Sequence, residues 1–84
     1  MYNGINLELK GGNMNELKIS LAAARVNAKM TQSEVAEALH ISKGTIVNWE
    51  NGKIIPNLAS MEMLSRLYKV PIENIFLPFE STKR

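Results

Sequence analysis

The sequence predicts an all-α fold of five short helices in one domain. From Leu17 onward, apolar residues recur at spacings of three and four, the period of a helix with one buried face. Residues that favour helix starts and stops punctuate this pattern. The 84 residues are 45% hydrophobic and 21% charged, a composition typical of one globular core. The predicted domain spans residues 15–77, between a flexible or appended segment (1–14) and a tail (78–84).

The composition restricts the kinds of function. Cysteine is absent, which excludes disulfides and thiolate metal sites, and the single histidine, His40, has no partner suited to catalysis or metal binding. We therefore expect no enzyme activity, cofactor, metal or small-molecule ligand. No signal peptide or membrane-spanning run is visible, so a cytoplasmic location is expected. The net charge of +2 permits a nucleic-acid partner but does not require one.

The N-terminal segment differs from the rest of the chain. It holds three of the five glycines and lacks helical periodicity, although Asn6–Leu9 could form a short strand. Residues 10–12 can be encoded by a bacterial ribosome-binding sequence, and Met14 follows closely. One hypothesis is that translation begins at Met14 and residues 1–13 are a translated leader. The codons of residues 10–12 test it.

Start and stop signals define the helices. Thr31 and Glu34 make a capping box, in which each side chain binds a backbone amide at the start of the second helix. Ser42 is the expected cap of the third helix, and Gly52 ends it because glycine adopts the left-handed conformation readily. The predicted helices span residues 15–27, 32–40, 43–50, 58–68 and 71–76.

The second and third helices are joined by a turn of three or four residues, so they must cross steeply. Such a crossing needs a small residue where the helices touch, and Ala36 is small. His40 occupies the turn, where histidine tolerates a positive φ. The predicted core consists of apolar residues on the inner faces: Leu21, Val35, Leu39, Ile41, Ile46, Trp49, Leu64, Leu67 and Ile75.

Several residue types coincide at fixed spacings: Ala24-Arg25, Thr31-Gln32-x-Glu34-x-Ala36, Ile41-Ser42, Thr45-Ile46-x-x-Trp49-Glu50-x-Gly52 and Pro56. This pattern resembles the helix-turn-helix family of phage repressors, Cro proteins and their bacterial xenobiotic-response-element relatives. The resemblance extends through the last two predicted helices: Leu64, Leu67, Val70-Pro71 and Ile75-Phe76. It implies a five-helix, lambda-repressor-like domain that binds double-stranded operator DNA and regulates transcription, most simply as a repressor.

The resemblance implies that the third helix lies in the DNA major groove, with its N-terminal residues towards the base edges. Its outward residues suit that position, because lysine can donate to guanine and asparagine can pair with adenine. Threonine can contact a thymine methyl group, and a glycine lets the helix approach closely. The expected base-contacting residues are Lys43, Gly44, Thr45, Val47 and Asn48.

Phosphate contacts are expected at the ends of the same helices. Gln32 begins the second helix, where unpaired amides and the helix dipole favour an anion, and the family places a phosphate contact there. Ser42 is a second candidate, although capping explains it better. A further phosphate is expected to bind side chains and backbone amides after the third helix: Asn51, Gly52 and Lys53. The resemblance also implies a structural ion pair between Arg25 and Glu50.

A domain of this size makes few DNA contacts, so a homodimer on two half-sites is expected, at least on DNA. The candidate interface is the apolar run of the predicted fifth helix and its extension: Ile72, Ile75, Phe76, Leu77 and Phe79. The alternative is that Ile75 and Phe76 simply complete the core. The main alternative function is a protein-interaction module, such as an adaptor or antitoxin-like subunit, on the same scaffold.

Overall fold

The described part of the chain begins with a strand and not with a helix. The computed structural model describes residues 18–77, in which Ile19–Ser20 (β1) pairs in parallel with Ile75–Phe76 (β2). Helix α1 starts only at Leu21, because Ser20 caps it by accepting a hydrogen bond from the Ala23 amide at 3.0 Å. The predicted helical start at residue 15 is therefore wrong for residues 18–20. The possible strand Asn6–Leu9 lies outside the described residues.

Four α-helices form most of the described chain: α1 Leu21–Asn27, α2 Gln32–Leu39, α3 Lys43–Glu50 and α4 Leu58–Tyr68. Their starts are set by side chains that accept from backbone amides at the first turn. The capping box of Thr31 and Glu34 is confirmed, with bonds of 3.0 and 2.8 Å, and so is the Ser42 cap of α3 at 3.1 Å. Asn57 caps α4 at 2.8 Å, a cap that we did not predict.

Each helix ends at or just before a residue with positive φ. Gly52 (φ 84°) follows α3, and His40 (φ 60°) lies in the turn between α2 and α3, as predicted. Lys29 (φ 62°) and Lys69 (φ 61°) adopt the same left-handed conformation after α1 and α4. Left-handed backbone costs a residue with a Cβ about 1 kcal/mol or more. The chain accepts that cost at three turns in order to reverse direction within one or two residues.

The predicted fifth helix is wrong. Pro71 precedes a single 3₁₀ turn, Ile72–Asn74, and the chain then extends as β2. Ile75 suits a strand because its β-branched side chain packs well there, and β1 supplies its backbone partners. Within residues 18–77 the fold is therefore mainly helical, with four α-helices and a two-stranded sheet, and not the five-helix all-α arrangement.

The core lies between α2 and α3 on one side and α1, α4 and the sheet on the other. Most of the predicted core residues are buried in it, and Leu39, Ile41 and Leu67 pack against it partly buried. Ala36 is 4% exposed, as a close crossing requires. Met61 and Tyr68 are buried on the apolar stripe that the periodicity of α4 predicts, whereas the burial of Ile19 and Val70 was not predicted. In the described range, no helix combines the length and apolar character that a bilayer crossing needs.

Candidate nucleic-acid interface

Helix α3 is anchored on one side and open on the other. Ile46 and Trp49 are only 1% and 7% exposed, so the core fixes the rotation of the helix about its axis. The predicted base-contacting residues therefore share the other side. Lys43 and Gly44 are exposed, and Thr45, Val47 and Asn48 are half-buried. None of the five lies in the core.

The first turn of α3 is ordered by its own hydroxyl groups. Ser42 Oγ accepts from the Thr45 amide and lies 2.9 Å from Thr45 Oγ1, so it serves as a cap and orients the threonine. A Cβ on Gly44 would meet Ser42 Oγ at 3.8 Å, an ordinary contact. The packing of the domain does not require glycine there. Its missing side chain instead leaves the outer surface of α3 low, where another molecule can approach the backbone.

The structure brings the N-terminal ends of α2 and α3 to one shallow depression. The depression has a volume of about 300 Å³ and is lined by Arg25, Met30, Thr31, Gln32, Ser33 and Lys43. Among the described residues, no hydrogen bond uses the backbone amides of Gln32 and Ser33. Two such amides at a helix N-terminus suit an anion such as a phosphate, and Lys43 also lines the depression.

The turn after α3 is arranged differently from what we expected. The Gly52 amide donates to Trp49 O at 3.3 Å, and the Lys53 amide donates to Asn48 O at 2.9 Å and to Asn51 Oδ1 at 3.2 Å. These amides donate to carbonyl groups in the last turn of the helix, which would otherwise lack a hydrogen-bond partner. The backbone amides of the expected phosphate clasp therefore already donate within the protein. The donors that remain are the exposed side chains of Asn51 and Lys53.

Arg25 and Glu50 lie together, between α1 and the end of α3. Arg25 Nε is 2.6 Å from Glu50 Oε2, and Nη2 is 3.2 Å from Oε1, with side chains only 15% and 9% exposed. The hydrogen bond to Glu50 raises the pKa of Arg25 above its ordinary value, against the opposing effect of burial. Arg25 Nη1 also donates to Met30 O at 3.0 Å. The acid at the end of α3 thus faces the protein and not the solvent.

Two further residues join this ion pair. Gln32 Nε2 donates to Glu50 Oε1 at 3.0 Å, a bond between α2 and α3 that the sequence did not suggest. Tyr68 of α4 is buried nearby, and burial, with a smaller effect of the Glu50 carboxylate, raises the pKa of its phenol. A neutral phenol therefore borders the pair. Each of the four helices thus contributes one residue to this cluster: Arg25, Gln32, Glu50 and Tyr68.

The family model for helix-turn-helix proteins matches residues 21–75. The chain belongs to the helix-turn-helix family.

The helix-turn-helix relatives include both a transcriptional activator and a transcriptional repressor. The chain is 33% identical to the transcriptional activator BcrR of Enterococcus faecalis, over 71% of this chain and 29% of BcrR. It is 35% identical to the cryptic phage CTXphi transcriptional repressor RstR of Vibrio cholerae, over 61% of this chain and 46% of RstR. It thus spans less than half the length of either. An uncharacterised helix-turn-helix regulator of Methanocaldococcus jannaschii is 33% identical over 73% of this chain and 92% of its own. No solved structure matches the chain significantly.

Most of the predicted dimer residues of this helix-turn-helix chain pack in the core or against it. Ile75 is buried, Ile72 and Leu77 pack partly buried against the core, Phe76 is half-buried in β2, and Phe79 lies outside the described residues. The alternative for Ile75, that it completes the core, is confirmed. Larger apolar exposure occurs at Ile54 (49%) and Ile55 (41%), in the loop after α3, and at Leu58 (68%), the first residue of α4. We call these three residues the 54–58 patch.

Proposed function

We propose that this chain is a sequence-specific DNA-binding transcriptional regulator, a repressor that inserts α3 into the major groove of double-stranded operator DNA. The observation that carries the proposal is the placement of Lys43, Thr45 and Asn48 outside the core while Ile46 and Trp49 hold α3 from behind. Membership of the helix-turn-helix family and the resemblance to a named phage repressor support it. Repression follows from occupying the operator and excluding polymerase.

The contacts divide into two classes. Lys43 and Asn48 read base edges, with Thr45 and Val47 beside them and Gly44 permitting the close approach. Phosphates bind on either side of the groove, one at the depression beside Gln32 and one at the side chains of Asn51 and Lys53. The first phosphate meets amide donors at the start of α2, which leaves Lys43 for the base edges. The second meets only side chains, because the turn amides are engaged.

Salt dependence tests the function against the protein-interaction alternative. Binding to a duplex is measured between about 50 and 200 mM salt, a range over which phosphate contacts lose much of their affinity through counterion release. With Lys43 and Lys53 both on phosphates or bases, we expect a log–log slope of about −2 or steeper per copy. A folded protein that binds no duplex at the lowest salt would favour the adaptor or antitoxin-like subunit.

Gly44 gives a prediction in which stability and binding move in opposite directions. Gly44→Ala should raise the free energy of unfolding by up to about 1 kcal/mol, because alanine is the better helix former and a Cβ has room there. The added methyl group should nevertheless weaken operator binding, since it holds α3 away from the groove. Denaturant unfolding and a binding titration measure both. Binding that improves along with stability would show that Gly44 does not face DNA.

We also propose that two copies bind the operator as a dimer, and that the second copy docks on the 54–58 patch. The patch begins in the loop that directly follows the recognition helix α3. Residues 54–61 carry no charge, so two copies meet without like-charge repulsion. The C-terminal apolar run is the less suitable surface because Ile75 belongs to the core and Ile72 and Leu77 pack against it.

A pair of variants compares the two surfaces. Leu58→Ser should convert cooperative two-copy binding on a palindromic duplex into one-copy binding, because Leu58 is 68% exposed and its loss costs the fold little. Phe79→Ser is the matched control and should bind as wild type does. Sedimentation of protein–duplex mixtures gives the stoichiometry. The reverse result would return the interface to the C-terminal run.

A further inference from the structure

Gln32 is held by a residue that does not itself face the solvent. Its Nε2 donates to Oε1 of Glu50, whose side chain is only 9% exposed. A side-chain amide has two N–H donors and one acceptor oxygen, whereas a carboxylate only accepts. The carboxylate therefore selects one orientation of the amide and uses one of its two donors. The flipped amide would place two acceptors against each other.

The orientation of this amide matters because Gln32 lines the depression at the N-terminal ends of α2 and α3. A phosphate oxygen accepts hydrogen bonds, so it binds an amide N–H and is repelled by an amide oxygen. An unrestrained amide would present either group. Held by Glu50, Gln32 keeps its second N–H for a phosphate without an ordering cost at binding.

We propose that Glu50 is a positioning residue for DNA binding, which orients the Gln32 amide so that its second N–H donates to a backbone phosphate at the start of α2. The inference rests on the proposed function. Arg25 holds the carboxylate through two hydrogen bonds, so the ion pair places the acceptor as well as joining α1 to α3. The phosphate contact on α2 is thereby tied to the position of the recognition helix.

The test compares Gln32→Met in two backgrounds. Removing Glu50 alone leaves Arg25 unpaired, so the second background is Arg25→Met/Glu50→Met, in which no charge is left unpaired. In the wild type, Gln32→Met should weaken binding about tenfold, the usual scale for a hydrogen bond to a charged group. The loss should be equal for operator and random duplexes, because phosphates carry no sequence information. In the second background, the loss should fall to about threefold or less, since the two residues are coupled.

Two further variants serve as a specificity control and as an alternative background. Ser33→Ala also alters the depression but removes no bond to Glu50, so its effect should be the same in both backgrounds. Glu50→Asp keeps a charge for Arg25 while shortening the reach to Gln32, and provides a second background in case the first fails to fold. In that background too, the Gln32→Met loss should shrink.

The outcomes separate the inference from the proposed function. Equal loss from Gln32→Met in every background overturns the inference, because Gln32 then acts without Glu50. No loss in the wild type overturns it as well, because Gln32 then makes no phosphate contact, while DNA binding itself stands. A wild-type protein that binds no duplex at all overturns the proposed function and the inference together.

Discussion

Replacing Lys43 and Asn48 together by alanine is expected to abolish specific operator binding while the domain stays folded. Each good base pairing by such side chains contributes about 1–3 kcal/mol of discrimination, so the two together give roughly 30-fold to 10⁴-fold. Neither side chain belongs to the core, and the Asn48 carbonyl that accepts from Lys53 and Ile54 survives the change. Binding to random duplexes should fall far less, because its phosphate contacts remain.

The control for this variant is Arg66→Ala. It removes one positive charge from an exposed residue in the last turn of α4, to which no DNA contact is assigned. It should keep both the affinity and the sequence preference of the wild type. Titrations of operator and random duplexes, with circular dichroism as the check on folding, distinguish the cases. A folded Lys43→Ala/Asn48→Ala variant that still prefers its operator would show that α3 does not read the bases.

Arg25→Ala should lower the free energy of unfolding by about 3 kcal/mol, the lower end of the range for buried ion pairs, since the pair is not fully buried. It leaves a Glu50 carboxylate with only Gln32 as a side-chain donor. A domain of this size is stable by only about 4–12 kcal/mol, so the variant should unfold at a markedly lower urea concentration. Binding per folded molecule should change much less, because the acceptor for Gln32 remains.

The matched control is Arg25→Met/Glu50→Met, which removes both charges at similar side-chain volume. It should be close to the wild type in stability, because apolar residues often replace a buried pair without loss. Urea unfolding gives the stabilities, and titrations corrected for the folded fraction give the affinities. Unchanged unfolding of Arg25→Ala together with lost binding would show instead that Arg25 contacts DNA.

The parts of the fold that depend on neighbouring residues could be predicted. The capping box at Thr31 and Glu34, the Ser42 cap and the positive φ of Gly52 each act within three residues, and α4 has the predicted bounds. The pairing of β1 with β2 could not be predicted, because it joins two short segments that are distant in sequence and show no alternating pattern. The fifth helix was predicted from Pro71, but a proline can precede a 3₁₀ turn as well as an α-helix, and here it precedes the 3₁₀ turn Ile72–Asn74.

The candidate site divides in the same way. The outward residues of α3 follow from the spacing of Ile46 and Trp49. Side chains three or four residues apart lie on the same face of a helix, so the residues between these two point to the other face. The bond from Gln32 to Glu50 and the inward amides after α3 depend on contacts between elements and on turn geometry, which periodicity does not reveal. The 54–58 patch could not be predicted, because the exposure of an apolar side chain depends on which other parts of the folded chain cover it.

Selection of bound duplexes from a random pool tests most directly whether α3 reads DNA sequence. We expect an enriched sequence with two related half-sites about one helical turn apart, roughly 10 base pairs. Repeating the selection with Asn48→Ala and with Lys43→Ala should erase the preference at one position of each half-site and leave the others. A folded wild-type protein that enriches no sequence would contradict the assignment of α3 as a recognition helix.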